Sequence, residues 1–305
     1  MDLNHLKQIF SEKFTTKPRL FRAPGRINLI GEHTDYNEGF VLPAAVNKEI
    51  WMLMAPNGTD AFKLYSKDMD ESVEFDLSNY ATVSEQWARY PIGVLDQLIK
   101  SGSKIPGVDC VFSGDIPLGA GMSSSAALES ATVFAFNQLF QLGLTKKEMA
   151  LLAQKAENEF VGVNCGIMDQ YASVCSEQDY FIKIDCRDLS FKKFKVDLGA
   201  YDLVLINSMV KHSLVSTAYN HRRKECESVI RKLNANNQRV HSLRDVTLEQ
   251  LASNQELFSL SEYNRAKYVI SEITRVEQAC DVIVQNDIPA LGKFLSDDST
   301  NFCHS

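Results

Sequence analysis

The sequence predicts an α+β fold. Three observations carry that reading. Short apolar runs, separated by turn residues, follow one another between Arg26 and Phe75; capped segments of helical periodicity interrupt and follow such runs; and no internal repeat or proline-rich linker divides the chain.

Taken in order, Leu3, Leu6, Phe10 and Phe14 recur at helical spacing, so the chain opens on an amphipathic helix with no signal-peptide core. Arg26 to Ile30, Phe40 to Val46, Ile50 to Ala55, Phe62 to Tyr65 and Ser72 to Phe75 are β-branched or alternating and predict strands and hairpins. Helical period returns through Trp87, Tyr90, Val94, Leu95 and Leu98, over Trp87 to Ile99, and Asp109 to Ser113 reads again as a strand. Serines at its start, an apolar interior and Gly143 as its stop predict a helix over Ser124 to Leu142.

Thr145-Lys-Lys-Glu148 fits a capping box, with Leu144 and Met149 placed as its hydrophobic staple. The helix that follows turns Met149, Leu152, Ala153, Ala156 and Phe160 inward. Glu157, four residues after Ala153, sits at the edge of that stripe, so its carboxylate is expected to be partly sheltered from water. Phe181 to Ile184, Phe191 to Val196 and Tyr201 to Ile206 are predicted strands; Tyr219 to Leu233, Tyr263 to Val284 and Ile288 to Leu295 are predicted helices. A domain boundary is placed near Asp197, giving domains 1–196 and 197–305 with an active site expected between them.

Charge and composition exclude several classes. With 32 basic against 39 acidic residues the net charge is −7, and basic clusters are no longer than Arg222-Arg223-Lys224, so nucleic acid is not an expected partner. Seven cysteines without a C-x-x-C pair are expected to be reduced packing thiols of a cytoplasmic protein. The longest uncharged stretch, Ser130 to Thr145, is sixteen residues and carries Thr, Asn and two Gln, too short and polar to span a bilayer.

Two segments carry chemistry. Gly114-Asp-Ile-Pro-Leu-Gly-Ala-Gly-Met-Ser-Ser-Ser-Ala-Ala127 sets glycines and three hydroxyls between a strand and a long helix. A helix N-terminus offers unpaired N–H groups and the positive end of its dipole, and glycines let backbone approach anionic oxygens, so a phosphate is expected here. Ala120 stands where the Walker pattern needs lysine, which disfavours a P-loop NTPase. Taken alone, the segment also reads as a glycine-rich helix start with serine capping.

The second segment is Arg22-Ala-Pro-Gly-Arg-Ile-Asn-Leu-Ile-Gly-Glu-His-Thr-Asp-Tyr-Asn37. Glu32, His33, Thr34 and Asp35 present four consecutive polar side chains after an apolar strand, a grouping suited to a polyhydroxylated ligand. A site that bonds each hydroxyl rejects analogues lacking one, because buried groups are then left unpaired. By composition alone the same residues read as a polar turn.

Ala23 to Tyr36 resembles the galactokinase signature almost letter for letter, and Pro117 to Ala127 resembles the phosphate-binding motif of the GHMP kinases. The resemblance continues through Ala156-Glu157, Cys165-Gly-Ile-Met-Asp-Gln170, Val210-Lys-His-Ser-Leu214 and Tyr219, covering nearly all of the chain. It implies a two-domain GHMP-kinase architecture, ribosomal-protein-S5-domain-2-like at the N-terminus and ferredoxin-like at the C-terminus. It also implies ATP-dependent phosphorylation of α-D-galactose with Mg²⁺, by a cytoplasmic monomer.

The residue roles come from the same resemblance. Asp169 is the expected catalytic aspartate, with Arg26 steadying it and the developing phosphoryl charge. Because an aspartate is a weak base at neutral pH and the transition state is loose, orienting the hydroxyl counts at least as much as removing its proton. Glu32, His33, Thr34, Asp35, Gly166 and Tyr219 are expected at the sugar. Gly119, Ala120, Gly121, Met122, Ser123, Ser124 and Ser125, with Ser66, Trp87 and Tyr90, are expected at ATP, and Ser125 and Glu157 at magnesium. Taken without the resemblance, Asp169 reads as a helix N-cap, Arg26 as a surface ion pair, and Trp87 and Tyr90 as core aromatics. Lys211, at a position where relatives carry a basic residue, is a weaker candidate.

One family motif is missing: after Gly199 the only glycine is Gly292, so no G-x-G-F-G-G loop is present. The second domain is therefore expected to be incomplete. The alternatives are a weak or inactive sugar- and ATP-binding relative, or a kinase of a related sugar such as N-acetylgalactosamine.

Overall fold

A computed structural model describes residues 2–117, 119–207 and 218–304, with residues 218 and 297–304 described by backbone alone. In chain order the elements are α1 (Leu3–Lys13), β1 (Arg19–Asn28), β2 (Phe40–Val41), β3 (Pro43–Pro56), β4 (Phe62–Ser66), β5 (Glu71–Phe75), α2 (Arg89–Lys100), β6 (Val108–Gly114) and α3 (Ser124–Phe140). Then follow α4 (Lys146–Ala156), α5 (Met168–Cys175), β7 (Tyr180–Asp185), β8 (Phe191–Lys195), α6 (Ala218–Ala235), α7 (Leu248–Ser253), α8 (Leu260–Val284) and α9 (Ile288–His304). They form two compact units, each drawn from separate segments. The first takes Met1–Arg26, Ala45–Cys165 and Asp169–Cys175; the second takes Ile27–Ala44, Gly166–Met168 and Ser176–Ser305.

Strand alternation layers the first unit. Its five-stranded sheet has the order β1-β3-β6-β4-β5, with β3 antiparallel and β4 parallel to β6. Side chains on a strand point alternately to opposite faces. Met52, Met54, Cys110 and Phe112 accordingly join Ile92, Leu95 and Leu98 of α2 and Ala131 and Phe136 of α3 in the main core. Leu53, Ala55 and Val111 take the other face, where Leu6 and Phe10 of α1 cover them. Each fully buried Leu or Phe contributes about 1.5–3 kcal/mol. The Thr145 capping box forms as the sequence predicts, its side chain accepting from the Glu148 N–H and the Glu148 carboxylate accepting from the Thr145 N–H.

The second unit sets a three-stranded sheet, β2-β7-β8, among helices. Its longest helix, α8, begins on a Ser259–Glu262 capping box and serves two apolar clusters in succession. Val269 and Ile273 pack with Val229 and Leu233 of α6; one turn on, Val276, Ala279 and Ile283 pack with Ile30, Leu42 and Phe181.

Four expectations change. The strand expected over Arg26 to Ile30 starts earlier and stops sooner, as β1, Arg19–Asn28. The runs Phe40 to Val46 and Ile50 to Ala55 are split differently, into two-residue β2 and fourteen-residue β3, because the polar Asn47-Lys48-Glu49 continues the strand instead of turning it. Tyr201 to Ile206 forms no strand: Val204 is 78% and Ile206 85% exposed, and alternation alone makes no strand without a ladder partner. Helix α2 starts at Arg89, so Trp87 lies in the turn before it. Among the described residues no helix is long and apolar enough to cross a membrane.

Candidate active site

In the first unit the end of β1, the loop before α3 and the first turn of α5 converge on one carboxylate. Arg26 Nε donates to Asp169 Oδ1 at 2.7 Å, and Ser123 Oγ donates to Oδ2 at 2.6 Å. Arg26 also ties down the loop, its guanidinium Nη1 donating to the Gly121 carbonyl at 2.6 Å and its backbone N–H to the Met122 carbonyl at 3.2 Å. Asp169 is thus bonded on both oxygens, one bond being a charge-assisted ion pair whose members are only 14% and 26% exposed.

Ser123 achieves this at a conformational cost. At φ 56° and ψ 56° it occupies the left-handed region, which a non-glycine residue adopts at about 1–3 kcal/mol. Standing at the cap position of α3, its hydroxyl makes no cap bond; it turns to Asp169 instead. Gly119 and Gly121 also have positive φ, and a Cβ on either would meet nothing within 4 Å. Glycine, glycine and left-handed serine together wrap the loop in front of the α3 N-terminus, where Ser124 and Ser125 begin the helix. Such an end takes anionic oxygens through backbone N–H groups.

Glu157 lies behind this loop. Helix α4 passes into a π-helical turn at Glu157–Val161, a distortion that often marks functional positions. The Glu157 side chain is almost fully buried, and its Oε2 accepts from Gln170 Nε2 at 2.6 Å, with Cys165 Sγ 3.3 Å away. Ser125 is bonded to the same carboxylate. Burial, with the charge of Asp169 adding, pushes the Glu157 carboxyl up to about 7. Burial above all, with the charges of Glu157, Glu129 and Asp169, raises the Cys165 thiol, so it meets these acceptors as a donor. Among the described residues no group of three or more His, Cys, Asp or Glu is arranged to hold a metal ion. A serine hydroxyl converging with one carboxylate nevertheless suits magnesium, which prefers hard oxygens and keeps several ligands for water and phosphate.

Of the residues expected at ATP, Tyr90 lies near enough to Glu157 and Glu129 to feel their charges, while Trp87 and Ser66 lie against or within the first unit's core sheet. Trp87 and Tyr90 are half-buried against the main core, the Trp87 ring 5.5 Å from Phe112 and its Nε1 donating to Glu71 at 2.7 Å. Burial, then the charges of Glu157 and Glu129, push the Tyr90 hydroxyl up to about 12. Ser66 is 2% exposed in β4.

The second unit gathers the polar residues of the opening signature. Glu32 Oε1 accepts from Asn28 Nδ2 at 2.8 Å, and His33 Nδ1 lies 2.8 Å from the Tyr36 hydroxyl. His33, Tyr36 and Tyr219 pack against one another, Tyr36 edge-on to the other two rings and His33 tilted against Tyr219, with ring centroids 5.4–5.7 Å apart. Desolvation, then the positive charges of Arg222 and Arg265, hold His33 down to about 4, so its imidazole is neutral at pH 7. Burial raises the Tyr36 hydroxyl and keeps it protonated. Thr34 has a different part: it is fully buried, its hydroxyl 2.8 Å from the Gly31 carbonyl and 2.5 Å from that of Phe40, so it shapes the loop.

Asp35 and Gly166 explain one another. A Cβ on Gly166 would lie 1.7 Å from Asp35 Oδ2 and 2.2 Å from Cγ, so the carboxylate occupies the space that any other residue would fill. Lys211 and the run 210–214 lie outside the described residues.

Sequence reasoning missed Glu272. Fully buried on α8, its Oε1 accepts from the Gly31 N–H at 2.6 Å and the Glu32 N–H at 3.3 Å, while Oε2 pairs with Arg275 Nε at 2.8 Å. A carboxylate in the middle of a long amphipathic helix was the only available signal. Gln170 carries a sequence signal only as the last residue of the Cys165 to Gln170 motif, and Glu129 carries none.

Comparisons with known proteins complete the description. The sequence matches the profile of the GHMP kinases N terminal domain over residues 89–177 and the galactokinase galactose-binding signature over residues 8–56. A galactokinase of Roseiflexus sp. (strain RS-1) is 36% identical over 298 residues, covering 97% of this chain and 76% of its own length. One from Actinobacillus pleuropneumoniae is 42% identical over 279 residues, 90% of this chain and 71% of its own. The crystal structure of Lactococcus lactis galactokinase complexed with galactose matches with a TM-score of 0.92 at 32% identity, covering 97% of this chain and 78% of the other.

Proposed function

The chain belongs to the galactokinase family of the GHMP kinases, and on that premise we propose that it transfers the γ-phosphoryl group of ATP to the anomeric hydroxyl of α-D-galactose. The products are galactose 1-phosphate and ADP. The observation that carries this reading is the Asp169 carboxylate, held on both oxygens by Arg26 and Ser123 and tied through Arg26 to the glycine and serine loop.

Phosphoryl transfer needs positioning and charge compensation more than a strong base. Asp169, fixed in direction, orients the sugar hydroxyl and accepts its proton as the oxygen–phosphorus bond forms. Arg26 offsets charge on the transferring group. Backbone N–H groups from Gly119 through Ser125 take the phosphate oxygens. Ser125 and Glu157 are the residues that would hold magnesium, which when bound compensates the negative charge of the ATP phosphates. Trp87, Tyr90 and Ser66 are proposed to flank the adenosine.

Glu32, His33, Asp35 and Tyr219 are proposed to bond the sugar, with Thr34 and Gly166 shaping their loop. A neutral imidazole both donates and accepts, which suits hydroxyl partners. We place the reaction in the cytoplasm, in keeping with the cysteine pattern.

Galactose, N-acetylgalactosamine and glucose compared for ADP release test the reading, on this chain and on Asp169→Asn. Galactose-dependent release should fall by about 10² to 10⁴ in the variant while sugar binding survives. No galactose-dependent release from a folded chain would sink it.

A further inference from the structure

Behind the Glu157 carboxylate is a second acid that the proposed reaction does not use. Glu129 stands one turn after Ser125 on α3, on the same face, and is fully buried. Its Oε2 accepts from Gln170 Nε2 at 3.1 Å, and the same Nε2 donates to Glu157 Oε2 at 2.6 Å. One amide nitrogen therefore spends its two N–H groups on two carboxyl groups.

The remaining oxygens do not balance. Glu129 Oε1 and Gln170 Oε1 are both buried, and neither has a hydrogen-bond partner among the described residues. An ionised carboxylate only accepts, and an amide oxygen only accepts, so an ionised Glu129 leaves both bare. Flipping the amide makes matters worse, because its oxygen would then face two carboxyl groups. A proton on Glu129 Oε1 would resolve both deficits, its O–H donating to Gln170 Oε1 beside the Nε2–H bond already formed and closing a two-bond acid–amide ring.

We propose that Glu129 is a standing carboxylic acid paired with Gln170 in such a ring, and that the ring aims the second Nε2–H of Gln170 at Glu157 and so positions that carboxylate. Glu129 and Gln170 act through Glu157, as positioning residues. Burial, then the negative charges of Glu157 and Asp169, independently hold the Glu129 carboxyl well above the usual range. Leaving it charged would bury an uncompensated ion next to two others of the same sign, which proteins avoid by neutralising the group. The positioning half of the proposal rests on the reading of Glu157 as a magnesium ligand; the protonated ring does not.

Two measurements test it. The first is the infrared carbonyl stretch of a protonated carboxyl group in the whole chain at pH 8, where surface carboxyls are ionised. A band present in the unsubstituted protein, shifted in D₂O and absent from Glu129→Gln, is the expected result; no such band overturns the ring. The second is calorimetric binding of ADP with and without Mg²⁺, read as the metal-dependent gain in affinity.

Glutamine at 129 can close the same two-bond ring, so Glu129→Gln should keep that gain within about threefold of the unsubstituted protein. Glu129→Leu and Gln170→Leu should lose about tenfold or more, as partners behind metal ligands do. If Glu129→Gln loses as much as Glu129→Leu, the charge and not the ring is what matters, and the proposal fails. If the leucine variants do not fold, the band and Glu129→Gln decide alone. An unsubstituted chain with no metal-dependent gain overturns the magnesium reading and the positioning role with it, while the band still judges the ring.

Discussion

Gly166→Ala changes one atom in a place where the structure leaves no room for it. The glycine's φ is not in the left-handed region, so alanine suits the backbone and the perturbation is confined to the contact. The new methyl would stand 1.7 Å from Asp35 Oδ2 and 2.2 Å from its Cγ. Non-bonded carbon contacts settle near 3.5–4.0 Å, so the carboxylate must retreat by roughly 1.5 Å. A hydrogen bond lengthened that far is lost. One charged hydrogen bond to a sugar hydroxyl is worth about 1.5–3 kcal/mol, so the galactose KM should rise by about 10- to 150-fold. Initial rates against galactose and against ATP measure this, the ATP KM staying where it was. Gly292→Ala, where a Cβ meets nothing within 4 Å on a helix, is the control and should be neutral or stabilising by up to about 1 kcal/mol. A folded Gly166→Ala protein with a galactose KM within twofold of the original would refute the placement of Asp35 at the sugar.

Three further outcomes follow from the geometry. His33 is held near 4 in the folded chain against 6.5 for a free imidazole, so the unfolded chain binds the extra proton between those values; stability is whole above about pH 6.5 and is lost as pH falls toward 4. After allowance for its partial exposure, urea unfolding should show about 2–3 kcal/mol more acid loss over that window than in His33→Asn, and equal losses would contradict the assignment. Ser123→Gly and Ser123→Ala both remove the hydroxyl from Asp169, so both should lower kcat about tenfold, yet the glycine variant should be about 1 kcal/mol the more stable because only alanine keeps the left-handed strain; equal melting temperatures would contradict it. Glu272→Ala removes the acceptor of the Gly31 and Glu32 N–H groups and one buried ion pair with Arg275, an expected loss of about 3–5 kcal/mol in urea unfolding, and a loss under about 1 kcal/mol would count against its anchoring role.

Local chemistry was legible in the sequence. The Thr145 capping box, the strands at Phe62 to Tyr65 and Asp109 to Ser113, and the opening helix follow from periodicity and end signals within a few residues of one another. The position of Glu157 at the rim of an apolar stripe predicts partial shelter, and the structure goes further, burying it almost completely on a π-helical turn that periodicity does not show. What stayed hidden depends on contacts distant along the chain. Glu272 anchors a backbone 241 positions earlier, and the space beside Gly166 matters only because Asp35 fills it. Helix α5 is eight residues long, too short for a periodic signal to stand out, yet it delivers both Asp169 and Gln170. Tyr201 to Ile206 shows the converse, a good strand pattern that no ladder completes among the described residues.

Phosphoryl transfer to the anomeric oxygen is the central claim, and the product tests it most directly. Incubation with ATP, Mg²⁺ and galactose carrying ¹⁸O at C1, followed by phosphorus and proton NMR, should show α-galactose 1-phosphate with the label retained between carbon and phosphorus. Phosphate on another hydroxyl, or ADP and free phosphate with galactose unchanged, would contradict it.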